Sequence, residues 1–161
     1  MEEETATIKE DIALEQRKEK IKKTIFSWLK NPLNLFLVLV LIFAFSIRLY
    51  YFLGVGNQPL WWDEAVYGSL AKNMITHIWN GTTGVIDESA IRPLFFSWLW
   101  SILIRLRIPE AGSRFILEVI PSIFSVFFVY LIGKEVFNKR VGIISAFIFS
   151  VLWIHLFYTL R

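Results

Sequence analysis

Asp63 and Glu64 are adjacent carboxylates that follow a Trp61-Trp62 pair and open a stretch of helical periodicity. Locally, Asp63 suits a helix N-cap and Glu64 complements the helix dipole in the first turn. Chemically, a carboxylate at a membrane boundary takes the proton of an incoming hydroxyl, or helps bind a divalent ion (Mg, Mn or Zn) that positions a phosphate; Asp63 is the candidate for either role. Arg92, Arg114 and Arg161 each stand at the end of an apolar segment. Singly, Arg92 reads as the anchor of a helix start and Arg161 as a terminal residue in water. As a group they suit phosphate, because the planar guanidinium grips phosphate oxygens bidentately and stabilises the charge that grows on a departing phosphate. Carboxylates and arginines gathered at one lipid-water boundary therefore suit attack by a hydroxyl on a membrane-embedded, phosphate-bearing substrate. Direct displacement at a sugar carbon would invert the anomeric centre, with base and leaving group on opposite faces.

Positioning these groups is a task for a membrane protein. The 161 residues are 55% hydrophobic, 17% aromatic and only 19% charged, with no cysteine. That composition makes the bilayer the solvent, and the missing thiols exclude a disulfide scaffold and a thiolate metal site. The formal charge is +3, and the 17 Lys and Arg sit beside apolar runs. No broad basic patch with interleaved aromatics forms, which argues against nucleic acid.

Residues 1–32 form a charged helical arm, with seven acidic and seven basic side chains in the first 30 positions. Its length, its acidity and the lack of a small-residue cleavage site exclude a signal peptide. Leu33 to Leu53 is a 21-residue apolar run interrupted by Asn34, Ser46 and Arg48, long enough to span. Its basic flank places the N-terminus in the cytoplasm, and Arg48 is expected to snorkel to the far headgroups. Leu94 to Ile104 has 11 uncharged residues, too few for a span, whereas 115–132 and 141–158 have 18 each. Three spans result, at 33–53, 115–132 and 141–158, with a cytoplasmic loop at 133–140.

The external loop at 54–114 carries two juxtamembrane helices, at 64–80 and 93–106. In the first, Tyr67, Leu70, Ala71, Met74, Ile75 and Ile78 share one face, and Ser69, Lys72, Asn73, Thr76 and Asn80 lie opposite. An amphipathic helix in the membrane surface is expected, ending at Asn80-Gly81. Asn80-Gly81-Thr82 fits a glycosylation acceptor and equally a turn. His77 and His155 have no partner at metal-ligand spacing and read as polar-face and packing residues.

The segments Gln58-Pro59-Leu60-Trp61-Trp62-Asp63-Glu64-Ala65-Val66-Tyr67, Arg92-Pro93-Leu94-Phe95-Phe96-Ser97-Trp98-Leu99, Ser113-Arg114 leading to Pro121-Ser122, the stretch from Tyr130 to Gly142, and Phe157-Tyr158-Thr159-Leu160-Arg161 carry a family resemblance. Together they resemble the amino-terminal part of the GT-C polyprenyl-phosphate-sugar glycosyltransferases. The likeness is greatest to the protein mannosyltransferase and aminoarabinose transferase branch, including RgtA/B/C/D-like proteins. It covers about residues 35–161 and implies an all-α integral membrane fold of GT-C type.

By position, the resemblance makes Asp63 the catalytic acid-base or metal-associated carboxylate, supported by Glu64. It sets Arg92 and Arg114 near the lipid phosphate, with Arg161 grouped there too. A polyprenyl- or dolichyl-phosphate sugar donor and a glycan, lipid or protein acceptor are implied, with transfer on the external, periplasmic or lumenal, face of the cell membrane. Val66 and Ile91 replace an arginine and a glutamate of the aminoarabinose transferases, which argues against that lipid A substrate. Family members have several hundred residues and ten or more spans, so a chain stopping at Arg161 is expected to be an amino-terminal fragment, truncated after the third span and incomplete as an enzyme. Two other functions fit the residues: a non-catalytic membrane scaffold or subunit, and a transporter or lipid-binding protein. The transporter would place polar groups on broken helices near mid-bilayer.

Overall fold

The protein is all-helical in a computed structural model that describes the backbone of residues 2–55, 58–79 and 93–159 and the side chains of 14–55, 58–77 and 93–159. No strand occurs among the described residues. The charged arm is helix α1 (Glu2–Leu29), whose side chains from Leu14 to Trp28 are exposed. Its surface pairs Lys18–Glu15 and Lys23–Glu19 lie one turn apart and contribute a few tenths of a kcal/mol each at most. The helix stops where Asn31 caps the next one. The Asn31 side chain accepts the Leu33 N–H at 3.0 Å, and Pro32, which has no N–H to lose, occupies the first turn.

Among the described residues two helices are long and apolar enough to cross a membrane, or three if the bent pair Lys139–Val151 and Trp153–Thr159 counts as one span. One is α2 (Pro32–Val55), which brackets the expected 33–53 span. The other is a continuous helical run, Glu110–Val136, built of α5 (Glu110–Arg114), a π-helical turn (Phe115–Val119) and α6 (Ile120–Val136). The π turn has a local cause. Pro121 offers no N–H to the Leu117 carbonyl and its ring crowds that position, so the helix loosens just ahead of it. In each long helix only 22% of the most apolar window is buried, and Phe36, Phe128 and Ile132 are 57–63% exposed. An apolar surface of that extent calls for lipid around it.

The expected third span, 141–158, is broken. Helices α7 (Lys139–Val151) and α8 (Trp153–Thr159) meet at a 57° bend, where Leu152 turns extended with ψ 115°. Ending α7 there strips its last carbonyls of helical partners. Arg48 supplies one. Its Nη1 donates to Ser150 O at 3.3 Å and to Ala44 O at 2.9 Å, and Arg48 is fully buried. The expectation that Arg48 snorkels to headgroups is therefore overturned: its guanidinium is engaged by acceptors inside the bundle. Leu37, Val40 and Ala44 of α2 pack against Val126 and Tyr130 of α6 and Ile143 and Ala146 of α7. Helices α6 and α7 approach closely through glycine. A Cβ on Gly133 would lie 2.8 Å from Gly142 Cα, and one on Gly142 would lie 2.6 Å from Tyr130 O.

Helices α3 (Asp63–Met74) and α4 (Leu94–Arg105) form a second layer. The apolar face of α3 does not lie on the membrane surface as expected; Leu70, Ala71 and Met74 are buried in the protein, and Ser97 Oγ of α4 donates to Tyr67 O at 3.1 Å. Trp100 packs over Gly68, where a Cβ would meet its ring at 3.3 Å. At 12 residues, α4 is about 18 Å long, too short to span. It ends with Arg107 at φ 59°, with Arg107 N–H donating to Ile104 O and Ile108 N–H to Leu103 O, a Schellman cap before Pro109.

Two stability measurements test this packing. Gly142→Ala should destabilise the protein by roughly 1–3 kcal/mol, because the new methyl meets backbone that cannot yield, whereas Gly54→Ala, with nothing within 4 Å, should not. Arg48→Ala should cost roughly 1–3 kcal/mol by stranding buried acceptors, with Arg48→Lys intermediate. A silent Arg48→Ala would return that side chain to the headgroups.

Candidate functional site

The acidic pair sits where α3 begins, after a strained residue. Trp62 has φ 37° and ψ −104°, a conformation unfavourable for any L side chain. Glu64 stabilises this corner: its Oε2 accepts the Trp61 N–H at 3.0 Å. The sequence expects Asp63 at the N-cap; the N-cap is Trp62, with no side-chain cap bond, and Asp63 opens the helix with an exposed side chain that lines a cavity. The other oxygen, Glu64 Oε1, lies 3.4 Å from Arg114 Nη2, and Arg114 Nε lies 3.7 Å from Glu118 Oε2. Exposures of 4% for Arg114, 13% for Glu64 and 12% for Glu118 separate this cluster from the surface ion pairs of the arm. Arg114 Nε and Glu118 Oε2 are buried without a hydrogen-bond partner among the described residues. The cluster is closed by charge and remains short of hydrogen bonds.

Asp63, Glu64 and Glu118 line one wall of a cavity of about 540 Å³, in the size range of small-molecule sites. Ser122, His155 and Thr159 also line the cavity, forming a hydrogen-bonded group of their own. Ser122 Oγ accepts from Arg48 Nε at 2.6 Å, and lies 3.2 Å from His155 Nε2 and 3.0 Å from Thr159 Oγ1. The His155 ring stacks on Phe149 with centroids 4.2 Å apart. Arg48 lies behind Ser122, outside the cavity lining, with Nη2 unpartnered among the described residues. The bend at Leu152 makes this group: it turns α8 so that His155 and Thr159 meet α6.

Asp63, Glu64 and Arg114 are thus brought together, the first facing the cavity and the other two ion-paired. Arg92 and Arg161 lie outside the described residues, as do Asn80-Gly81-Thr82. Asp63, Glu64 and Glu118 line this cavity without closing on one point: among the described residues no three His, Cys, Asp or Glu are grouped to hold a metal ion, and Glu64 and Glu118 are engaged with Arg114.

From sequence, Ser122, Thr159 and Arg48 carry no site role, Glu118 clusters with Pro121 and Ser125 only in the transporter reading, and His155 is assigned to packing. A shared depth was the available signal. Arg48 stands 16 residues after Pro32, Ser122 14 before Val136 and His155 16 after Lys139. At 1.5 Å per residue Arg48 and Ser122 are roughly 21–24 Å from the same end of the bundle, and His155 meets Ser122 from beyond the bend at Leu152.

Compared with known proteins, the chain matches no family model, no curated protein and no solved structure.

Proposed function

We propose that the protein is a membrane glycosyltransferase of GT-C type, moving a sugar from a polyprenyl- or dolichyl-phosphate donor to an acceptor hydroxyl outside the cell membrane. The observation that carries this reading is the convergence of Asp63, Glu64 and Glu118 on one cavity, held by Arg114, at the end of the bundle away from the basic arm. In the proposed step the acceptor oxygen forms a bond to the anomeric carbon while the bond from that carbon to the phosphate oxygen breaks. The electron pair leaves with the lipid phosphate, and the acceptor's proton goes to Asp63. Attack opposite the leaving group inverts the anomeric centre.

Asp63 suits the base role because it faces the cavity. Glu64 suits a supporting one, since both its oxygens already have partners. Arg114 spends one side on Glu64 and another on Glu118, so it orders the acidic wall as well as serving the donor phosphate. Arg92 and Arg161 belong to the same proposal as donor-phosphate groups.

A second reading, transport of a lipid-linked or anionic solute, draws support from the broken α7–α8 pair and the buried Arg48, the combination that transporters build into their midplane sites. Arg48 lies seven residues from Val55, about 10 Å along the helix from that end, short of mid-bilayer. That depth favours the enzyme.

Sugar transfer from a labelled lipid-phosphate donor, in membranes carrying the protein, distinguishes them. Asp63→Asn should lower transfer by about a hundredfold or more with membrane levels unchanged; an equally active Asn variant removes Asp63 from the base role. Arg114→Ala should raise the donor KM. Uptake of donor into vesicles without any transfer would favour the transporter.

A further inference from the structure

At the opposite end of the bundle a second hollow, of about 440 Å³, opens between α2 and α6. Leu37, Leu41 and Phe127 line its length, and Lys134 and Lys139 stand at one end. That end is built. Asn34 is 5% exposed, its Nδ2 donates to Trp28 O at 2.7 Å, and its Oδ1 accepts from Lys139 Nζ. The ammonium of Lys139 is therefore held over the groove instead of ranging through solvent. Lys134 is brought to the same end by the Gly133–Gly142 approach, which draws the last turn of α6 onto the first turns of α7. Glu135, the acid beside Lys134 in sequence, does not line the groove.

We propose that this groove is a binding site for an anionic phospholipid, with the phosphate against Lys134 and Lys139, the latter positioned by Asn34, and an acyl chain along Leu37, Leu41 and Phe127. Charge selects this occupant. Two cations at the mouth of an apolar groove match a headgroup with net negative charge, and a zwitterionic lipid would bring its own cation against them. The basic arm enters the bundle at this end, where positive residues mark the leaflet facing the cytoplasm and anionic lipids concentrate. Neither the sugar-transfer proposal nor its cavity is involved.

The test is lipid retention by the full chain purified in mild detergent, read by native mass spectrometry after exposure to equal phosphatidylglycerol and phosphatidylcholine. The wild type should retain phosphatidylglycerol preferentially. Preference should fall about fivefold for each of Lys134→Gln and Lys139→Gln, while Lys18→Gln with Lys20→Gln in the exposed arm should leave it unchanged. Equal retention of the two lipids by the wild type overturns the proposal without any variant. Loss of preference in the arm variant equal to that in the groove variants also overturns it, by moving the attraction to the arm.

Discussion

A guanidinium taken out of water must find oxygens, and in this protein that requirement pulls the helices into place. Arg114 answers it with two carboxylates, Glu64 from the short helix α3 and Glu118 from its own helix one turn on. Arg48 answers it without an acid among the described residues, through Ser122 and the carbonyls of Ala44 and Ser150. Both residues are nearly or wholly inaccessible, so their attractions act in a medium of low effective dielectric. Losing a partner there would leave a buried charge uncompensated, which is far more damaging than losing a surface pair.

The cavity follows from these two arrangements. Arg114 ties the start of α3 to the long apolar helix, which brings the strained Trp62 corner and Asp63 over the space beside Glu118. Arg48 receives the carbonyl freed at the end of α7, which makes the bend at Leu152 tolerable in an apolar setting and lets His155 and Thr159 reach Ser122. One group is thus acidic and anchored by charge; the other is hydroxyl and imidazole, anchored by backbone.

Much of the scaffold was legible in the residue pattern. Length alone identified α2 to within two residues at each end and separated the short α4 from the spans. Periodicity identified the face of α3 that is buried, although its partner proved to be Trp100 and Ser97 of α4 and not lipid. What stayed hidden is tertiary. No proline or glycine stands at Leu152 to announce the bend, and the guanidinium that meets the Ser150 carbonyl beside it comes from 102 positions before Ser150, which leaves no local trace. The Glu64–Arg114 pair is likewise 50 positions apart. The sequence sets Asp63 and Glu64 side by side, but which of the two is ion-paired depends on where the Arg114 side chain reaches. Arg48 was misread because its position near a helix end permits snorkelling, and only the neighbouring helices decide that it turns inward.

The central claim is that Glu64 and Arg114 hold the acidic corner to the membrane helix. A double-mutant cycle with Glu64→Gln, Arg114→Gln and the pair, read as unfolding free energy of the protein in detergent, measures that attraction directly. The account predicts a coupling of roughly 1 kcal/mol or more, since the two side chains share a buried network. Additivity within about 0.3 kcal/mol would contradict it and separate the carboxylates from the wall they are held to form.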